Sequence, residues 1–364
     1  MENLASIFKI VDEVGEIRPL KVGHINDSYI VGSKYEDGNW YFLQKINHHI
    51  FKDIDGLQNN INLVTQHIRT KLNAVGASDI DRKTLKLIST YTGKLYYQDN
   101  QGDYWRLYKL IRGTDSYDVI TPELAYKAGK AYGNFQDILS DIPHDQLIET
   151  IPNFHNMEFR LEQFRESVKN NIANRLSEIQ ELIDEIEKRA EEMCLPERLF
   201  REGLLPKRIN HCDTKVNNLL FDENDDPICI VDLDTVMPGF VLSDFGDFMR
   251  TGANTGAEDD IDLSKVSFNM EVYKSYTKGY LESASCFLTS TEIELLPFGA
   301  KLMTYMQLTR FLADYLNGDT YYKINNPLHN LQRSKAQFRL LQSIEVNYID
   351  MQEFINRIIS NQPD

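Results

Sequence analysis

Apolar and polar residues change their rhythm twice along this chain, and each change predicts a change of architecture. Over residues 17–46 the stretches IRPLKVG, DSYIVGS and NWYFLQKI alternate apolar with polar positions, broken by HIN and by the turn KYEDG. Alternation with period two puts one face of each stretch on a core, so strands are predicted. DIDGLQNNINLVTQHIRTKL, residues 53–72, keeps a different period. Its Ile61, Val64, Ile68 and Leu72 recur every three or four positions, which predicts a helix. YTGKLYYQDNQGDYWRLYKLI then returns to strands as a hairpin turning at Asp99-Asn100-Gln101-Gly102.

The second change follows Gly113. Residues 122–140 and 157–194 are predicted helical, the latter with charges interleaved in the way of a solvated amphipathic helix or pair. NNLLF and ICIVDLD, joined by a turn over Asp222–Pro227, form a short hairpin, and LSDFGDFMR reads as a helix start. From about residue 265 the chain is mostly helical. The expected fold is α+β and bilobal. A small antiparallel-sheet N-lobe with one helix occupies 1–111, and a larger, mainly helical C-lobe occupies 112–364.

Charge narrows the partners. The net charge is −16, a field that repels a phosphate backbone, so no nucleic-acid partner is expected. Cys194, Cys212, Cys229 and Cys286 show no C-x-x-C spacing, against a zinc site or disulfide framework. MENLASIFKIVDEVGEIRP lacks the apolar core of a signal peptide, and no stretch nears the ~18 apolar residues that span a bilayer. A cytoplasmic protein with no membrane partner is expected.

The sharpest chemical signal is HCDTKVNN, residues 211–218, which fits H-x-D-x-K-x-x-N. A kinase catalytic loop has the same His, Asp and Asn spacing. Phosphoryl transfer needs a carboxylate to orient the attacking hydroxyl and take its proton, which Asp213 can supply. Lys215 can bring positive charge to the γ-phosphate, and the Asn218 side-chain carbonyl suits magnesium. His211 supports the loop, and Cys212 reads as a buried, inert thiol.

A second metal ligand should face this loop across a short hairpin. Asp232 closes the second strand of NNLLF…ICIVD, fourteen residues after Asn218. The literal D-F-G of a kinase, Asp244-Phe245-Gly246, lies beyond a Pro-Gly turn at a helix start, where an aspartate caps backbone N–H groups. Asp232 is therefore expected on the metal and Asp244 in a structural role. Asp234 either assists the metal or serves a turn.

The nucleotide elements are incomplete. No G-x(4)-G-K-[ST] occurs, and Gly23, in VGHINDSY, is the one glycine of the first hairpin. On YFLQKI the phosphate-binding lysine slot falls on Gln44, while Lys45 points to the other face. Residues 56–74 contain no Asp or Glu to partner a lysine. Either Gln44 binds phosphate as a neutral donor or Lys45 bends in. His24 and Asn26 sit on the loop above the phosphates.

HCDTKVNN, IVDLDTVMPG, the DFGD that follows and GHIN near the start resemble the aminoglycoside phosphotransferase/choline kinase superfamily. EDDIDLSKVSF, ELLPF and RFLADYLNGDTYY with HNL bring the likeness closest to its N-acetylhexosamine 1-kinases, over nearly the whole chain. The resemblance implies transfer of the γ-phosphate of ATP to the anomeric hydroxyl of N-acetylglucosamine or N-acetylgalactosamine. It puts the catalytic aspartate on Asp213, magnesium (two ions) on Asn218 and Asp232, and sugar contacts on His24, Arg310 and Tyr321. Arg310 and Asp314 lie four apart on one helix face, where a plain ion pair is the competing reading. Thr251 stands where a larger apolar residue is expected near the sugar. An aminoglycoside, homoserine or choline kinase remains open on the motifs, as does, against the full set of catalytic-loop residues, an inactive binding module.

Overall fold

The computed structural model describes residues 2–20 and 25–360; Gly23 and His24 lie outside the described residues. The chain is α+β, with an antiparallel sheet toward the N-terminus and helices toward the C-terminus. It divides into two compact units. The first is Met1–Ser116 together with Asp145–Pro152 and Leu219–Met237, and the second is Tyr117–His144, Asn153–Asn218 and Pro238–Asp364. Division at 111/112 would leave the two later segments of the first unit with the helices.

In the first unit the strands are β1 (Val14–Leu20), β2 (Asp27–Ser33), β3 (Tyr41–Ile46), β4 (Leu87–Ile88), β5 (Tyr97–Gln98) and β6 (Tyr104–Lys109). The order is β1-β2-β3-β6-β4, with β5 also on β6, all antiparallel. Tyr41, Leu43, Trp105 and Leu107 bury one face of the sheet with Phe8 and Val31. Period two then sends Gln44 and Arg106, which are direct partners across β3 and β6, to the opposite face.

The predicted helix spans Ile54–Ala74. Asp53 caps it by accepting the Gly56 N–H, and Leu57, Ile61, Val64 and Ile68 are buried. On this helix the buried Asn60 donates to the carbonyls of Ile148 and Val236 and accepts the Ile148 N–H. One amide thus ties both later segments to the first unit. The hairpin Leu219–Phe221/Pro227–Ile230 belongs to this unit.

In the second unit the charged stretch resolves into a pair of helices, Met157–Asn170 and Gln180–Met193. The first ends at Asn171, which takes the left-handed conformation at φ 40°. Leu296–Leu316 is buried on almost every side, so it forms the centre of the core. Val241–Gly252 crosses it at a glycine contact. A Cβ on Gly246 would stand 2.0 Å from the Gly299 carbonyl oxygen, and one on Gly299 would stand 2.5 Å from that of Leu242. Among the described residues no helix is long and apolar enough to cross a membrane.

Candidate active site

The candidate catalytic loop, residues 211–218, follows the strand Arg208–Asn210 in the second unit. His211 is fully buried, edge-on to Tyr132, and its Nδ1 accepts the Asp213 N–H at 3.2 Å. Cys212 is buried with φ 61°, a left-handed turn that a side chain rarely adopts. Asp244 holds this turn in place. Its Oδ2 accepts the His211 N–H at 2.8 Å and its Oδ1 the Cys212 N–H at 2.7 Å. Gln136 Nε2 also donates to Oδ2, and the Thr214 hydroxyl donates to the Asp244 carbonyl. Burial raises the Asp244 carboxyl above its ordinary value, against the pull of His211 and these N–H groups.

This corrects the reason given for Asp244. It does not cap its own helix, whose N-cap is Phe240; it caps the catalytic loop. Phe245 is fully buried, edge-on to Tyr273, Tyr276 and Tyr280, and Gly246 makes the helix crossing. All three residues of the triplet have packing or loop-holding work in this unit.

Asp213 pairs with Lys215 at 2.7 Å. Asn218 Nδ2 donates to the Asp213 carbonyl at 2.8 Å and lies 3.2 Å from Oδ2. Burial favours the neutral acid, but Lys215 outweighs it and holds the Asp213 carboxyl below its ordinary value. Lys215 is raised in turn, Asp213 and Asp247 outweighing its burial. An ionised carboxylate beside an ammonium group is thereby maintained at neutral pH. With its nitrogen on Asp213, Asn218 keeps its carbonyl oxygen clear of hydrogen bonds among the described residues, a hard donor that fits magnesium. Asp232, in the first unit, sits at φ 61° at the head of the turn Leu233–Thr235. Among the described residues no three His, Cys, Asp or Glu side chains cluster as a metal cage. Magnesium commonly takes only one or two carboxylates and completes its shell with phosphates and water.

Also in the first unit, Lys45 stays on the far face, ion-paired to Asp103 at 2.6 Å, so it does not bend in. Gln44 is buried. Its Nε2 donates to the Ser28 hydroxyl at 3.2 Å and its Oε1 accepts two N–H groups of Arg106, at 3.0 and 2.7 Å. Its carbonyl and one of its two amide N–H groups are thus used within the fold. Asn26 is committed likewise, donating to Asp234 at 2.6 Å and accepting the Asn47 N–H at 2.9 Å.

In the second unit Arg310 lies 4.9 Å from the Phe154 ring centre, with Tyr321 and Tyr322 at 5.8 and 5.7 Å. The ion pair with Asp314 is not formed. Asp314 instead accepts the N–H groups of Thr320, Tyr321 and Tyr322 and the Asn330 amide, shaping the loop that carries Tyr321. Tyr321 is half exposed. Arg160 stands over the other contact of Phe154 at 5.8 Å, and its guanidinium donates to the Phe154 carbonyl. His155 stacks on Phe154 with a buried Nδ1 that has no hydrogen-bond partner among the described residues. Burial, then Arg310 and Arg160, push its imidazole well below the ordinary value, against the opposite pull of Asp213. Thr251 hydrogen-bonds back to the Asp247 carbonyl of its own helix. Sequence reasoning missed Arg106, His155 and Arg160. Arg106 faces Gln44 only through the pairing of β3 with β6, which is no hairpin and which no local signal announces.

A phosphotransferase enzyme family model (APH) matches residues 90–276, just over half of the chain. The chain belongs to that family. Solved structures agree in fold. An aminoglycoside phosphotransferase from Alicyclobacillus acidocaldarius superposes with a TM-score of 0.64 at 11% identity, over 98% of this chain and 96% of its own. A spectinomycin phosphotransferase in complex with ADP and spectinomycin gives 0.59 at 15%, over 95% and 97%. A microcompartment-associated aminopropanol kinase gives 0.57 at 12%, over 96% and 97%. This phosphotransferase therefore has the fold of small-molecule kinases, and the HCDTKVNN loop, residues 211–218, lies inside the matched span.

Proposed function

We propose that this phosphotransferase moves the γ-phosphate of ATP to the anomeric hydroxyl of an N-acetylhexosamine, giving the sugar 1-phosphate. The choice of a neutral sugar over a cationic acceptor rests on one observation. Arg160 and Arg310 both lie over the Phe154 ring, and their hydrogen bonds go to the Phe154 carbonyl, Gln163 and Gln307, with no carboxylate partner among the described residues. Arg310 contributes to lowering Arg160 to about 10, second to burial. An aminoglycoside or choline would add a third positive charge to this neighbourhood, whereas a polyol accepts guanidinium hydrogen bonds without repulsion.

In this reading Asp213 takes the proton of the C1 hydroxyl, the most acidic hydroxyl of the sugar. Lys215 balances charge on the transferring group, and Arg310 and Tyr321 hold ring hydroxyls remote from C1. Asn218 in the second unit and Asp232 in the first are each candidate magnesium ligands, and magnesium when bound neutralises phosphate charge. ADP and the aminoglycoside are named for the neighbours alone; ATP is carried here by the family and by the loop chemistry.

A panel of free sugars, choline, homoserine and aminoglycosides, each with ATP and magnesium, tests the proposal by ADP release. Turnover of N-acetylhexosamines is expected, with phosphorus NMR showing coupling of the product phosphate to the anomeric proton. A C6 ester, or turnover of an amine-bearing acceptor alone, overturns it. Asp213→Ala should lose ~10²–10⁴-fold in rate with nucleotide binding kept.

A further inference from the structure

The sheet of the first unit holds a charge that no motif announced. Arg106 is 1% exposed, on β6, directly opposite Gln44 of β3. Gln44 occupies the slot where a kinase keeps its phosphate lysine, and the helix that follows offers no acid over residues 56–74. A lysine–glutamate pair is therefore absent on both sides. In its place Gln44 Oε1 accepts the Nε and Nη2 of Arg106, which fixes the guanidinium plane. The Tyr108 ring, two residues along on the same face, lies 5.2 Å from the guanidinium carbon. The remaining nitrogen, Nη1, stands 2.5 Å from Asp234 Oδ1. Asp234 Oδ2 accepts from Asn26, and Asn26 holds the Asn47 N–H.

We propose that Arg106 replaces the missing β3 lysine as the cation of the nucleotide site, and that it works by anchoring Asp234. The D-x-D turn then divides its labour: Asp234 is the anchor, and ligation of magnesium falls to Asp232. This rests on the kinase reading above. Three physical points carry it. Asp234 is 3% exposed, so its charge needs a partner at close range, and both its oxygens are taken by Arg106 and Asn26. The ion pair is close but poorly aligned as a hydrogen bond, since Nη1 and Oδ1 both lack an aligned partner. Its contribution is thus the placement of charge, and a buried pair of this kind is a device for orientation more than for stability. Finally, Asp232 heads the same short turn, Leu233–Thr235, that contains Asp234, so fixing Asp234 fixes the turn from which Asp232 projects. Arg106 and Gln44 are positioning residues, since they act through Asp234.

The test is calorimetric binding of ADP with magnesium and of ADP with EDTA. Arg106→Gln leaves Asp234 buried and unpaired and can fail to fold, so the neutral double variant Arg106→Gln/Asp234→Asn carries the measurement. Its Kd for ADP with magnesium should rise at least about tenfold, while its Kd for ADP in EDTA moves less than about threefold. The transposed variant Gln44→Lys/Arg106→Gln, which returns the cation to β3, should recover most of the magnesium-dependent affinity. An unchanged Kd with magnesium in the double variant overturns the proposal. So does an equal loss with and without magnesium, which is the mark of a merely structural role. Wild-type protein that binds no ADP under either condition overturns the kinase reading itself, and this inference with it.

Discussion

Asp232-Leu233-Asp234 in the first unit and Asp244-Phe245-Gly246-Asp247 in the second are spelled almost alike and employed differently. Asp232 sits in a left-handed turn after a strand, where the backbone turns sharply before Leu233–Thr235. Asp244 sits in the first turn of a helix, with both carboxylate oxygens accepting hydrogen bonds from N–H groups. A carboxylate saturated by N–H donors has little left for a cation. The three letters D-F-G therefore carry no function until the partners of the aspartate are known, and here those partners belong to the catalytic loop.

The comparison breaks most sharply at Asp232. Asp232→Asn should lower magnesium-dependent turnover by about 10²-fold or more, with a smaller loss of stability than Asp244→Asn. Asp244→Asn should do the converse. An asparagine keeps the shape, but its NH₂ must face either the Cys212 N–H or the N–H groups of His211 and Gln136, donor against donor. One or more buried groups lose their acceptor, at about 1–3 kcal/mol each. Denaturant unfolding and a magnesium titration on both variants decide the matter; a fully stable Asp244→Asn that no longer responds to magnesium would reverse the assignment.

Gly246 sharpens the same contrast at smaller scale. In a metal-binding D-F-G the glycine serves the backbone of a loop, whereas here it lets two helices touch. Gly246→Ala must push a methyl against the Gly299 backbone, which cannot move aside as a side chain can. A loss of about 1–3 kcal/mol is expected, with the Kd for ADP and magnesium unaltered in the folded fraction.

Much of this was legible beforehand because it depends on local period. The three early strands, the Ile54–Ala74 helix and the hairpin at Asp99–Gly102 follow from alternation, helical spacing and turn residues. Strand parity also separated Lys45 from Gln44. What stayed hidden depends on pairing between distant positions. Arg106 acquires its meaning only from the register with Gln44 and from Asp234, 128 residues later. The arginines flanking Phe154 are 150 residues apart in sequence, and no spacing rule connects them. The ion pair of Arg310 with Asp314 was plausible on helix spacing and lost to a loop whose N–H groups needed an acceptor more.

The smallest effect comes from a second buried carboxylate in the helical unit, which tests whether saturation by donors is what distinguishes Asp244. Glu197 is buried on the short helix Leu195–Arg201. One oxygen accepts the Met157 N–H at 2.6 Å, and the other, Oε2, is buried without a partner. Burial pushes its carboxyl up to about 7 from an ordinary 4.5. A carboxyl raised on folding stays protonated in both states below pH 4.5, so nothing is lost there. Between 4.5 and 7 the unfolded chain ionises while the folded one resists, and stability falls; above 7 the loss levels off. Glu197→Gln keeps a carbonyl for Met157 and removes the ionisation, so it should stabilise the protein by about 1–3 kcal/mol at pH 8 and by almost nothing at pH 4. Urea unfolding of both proteins across this range gives the curve. Opposite signs for Glu197→Gln and Asp244→Asn at pH 8 would show that the number of donors meeting a buried carboxylate, not its burial alone, decides whether a neutral amide can take its place. If Glu197→Gln destabilises at pH 8 as Asp244→Asn does, donor saturation does not separate the two sites.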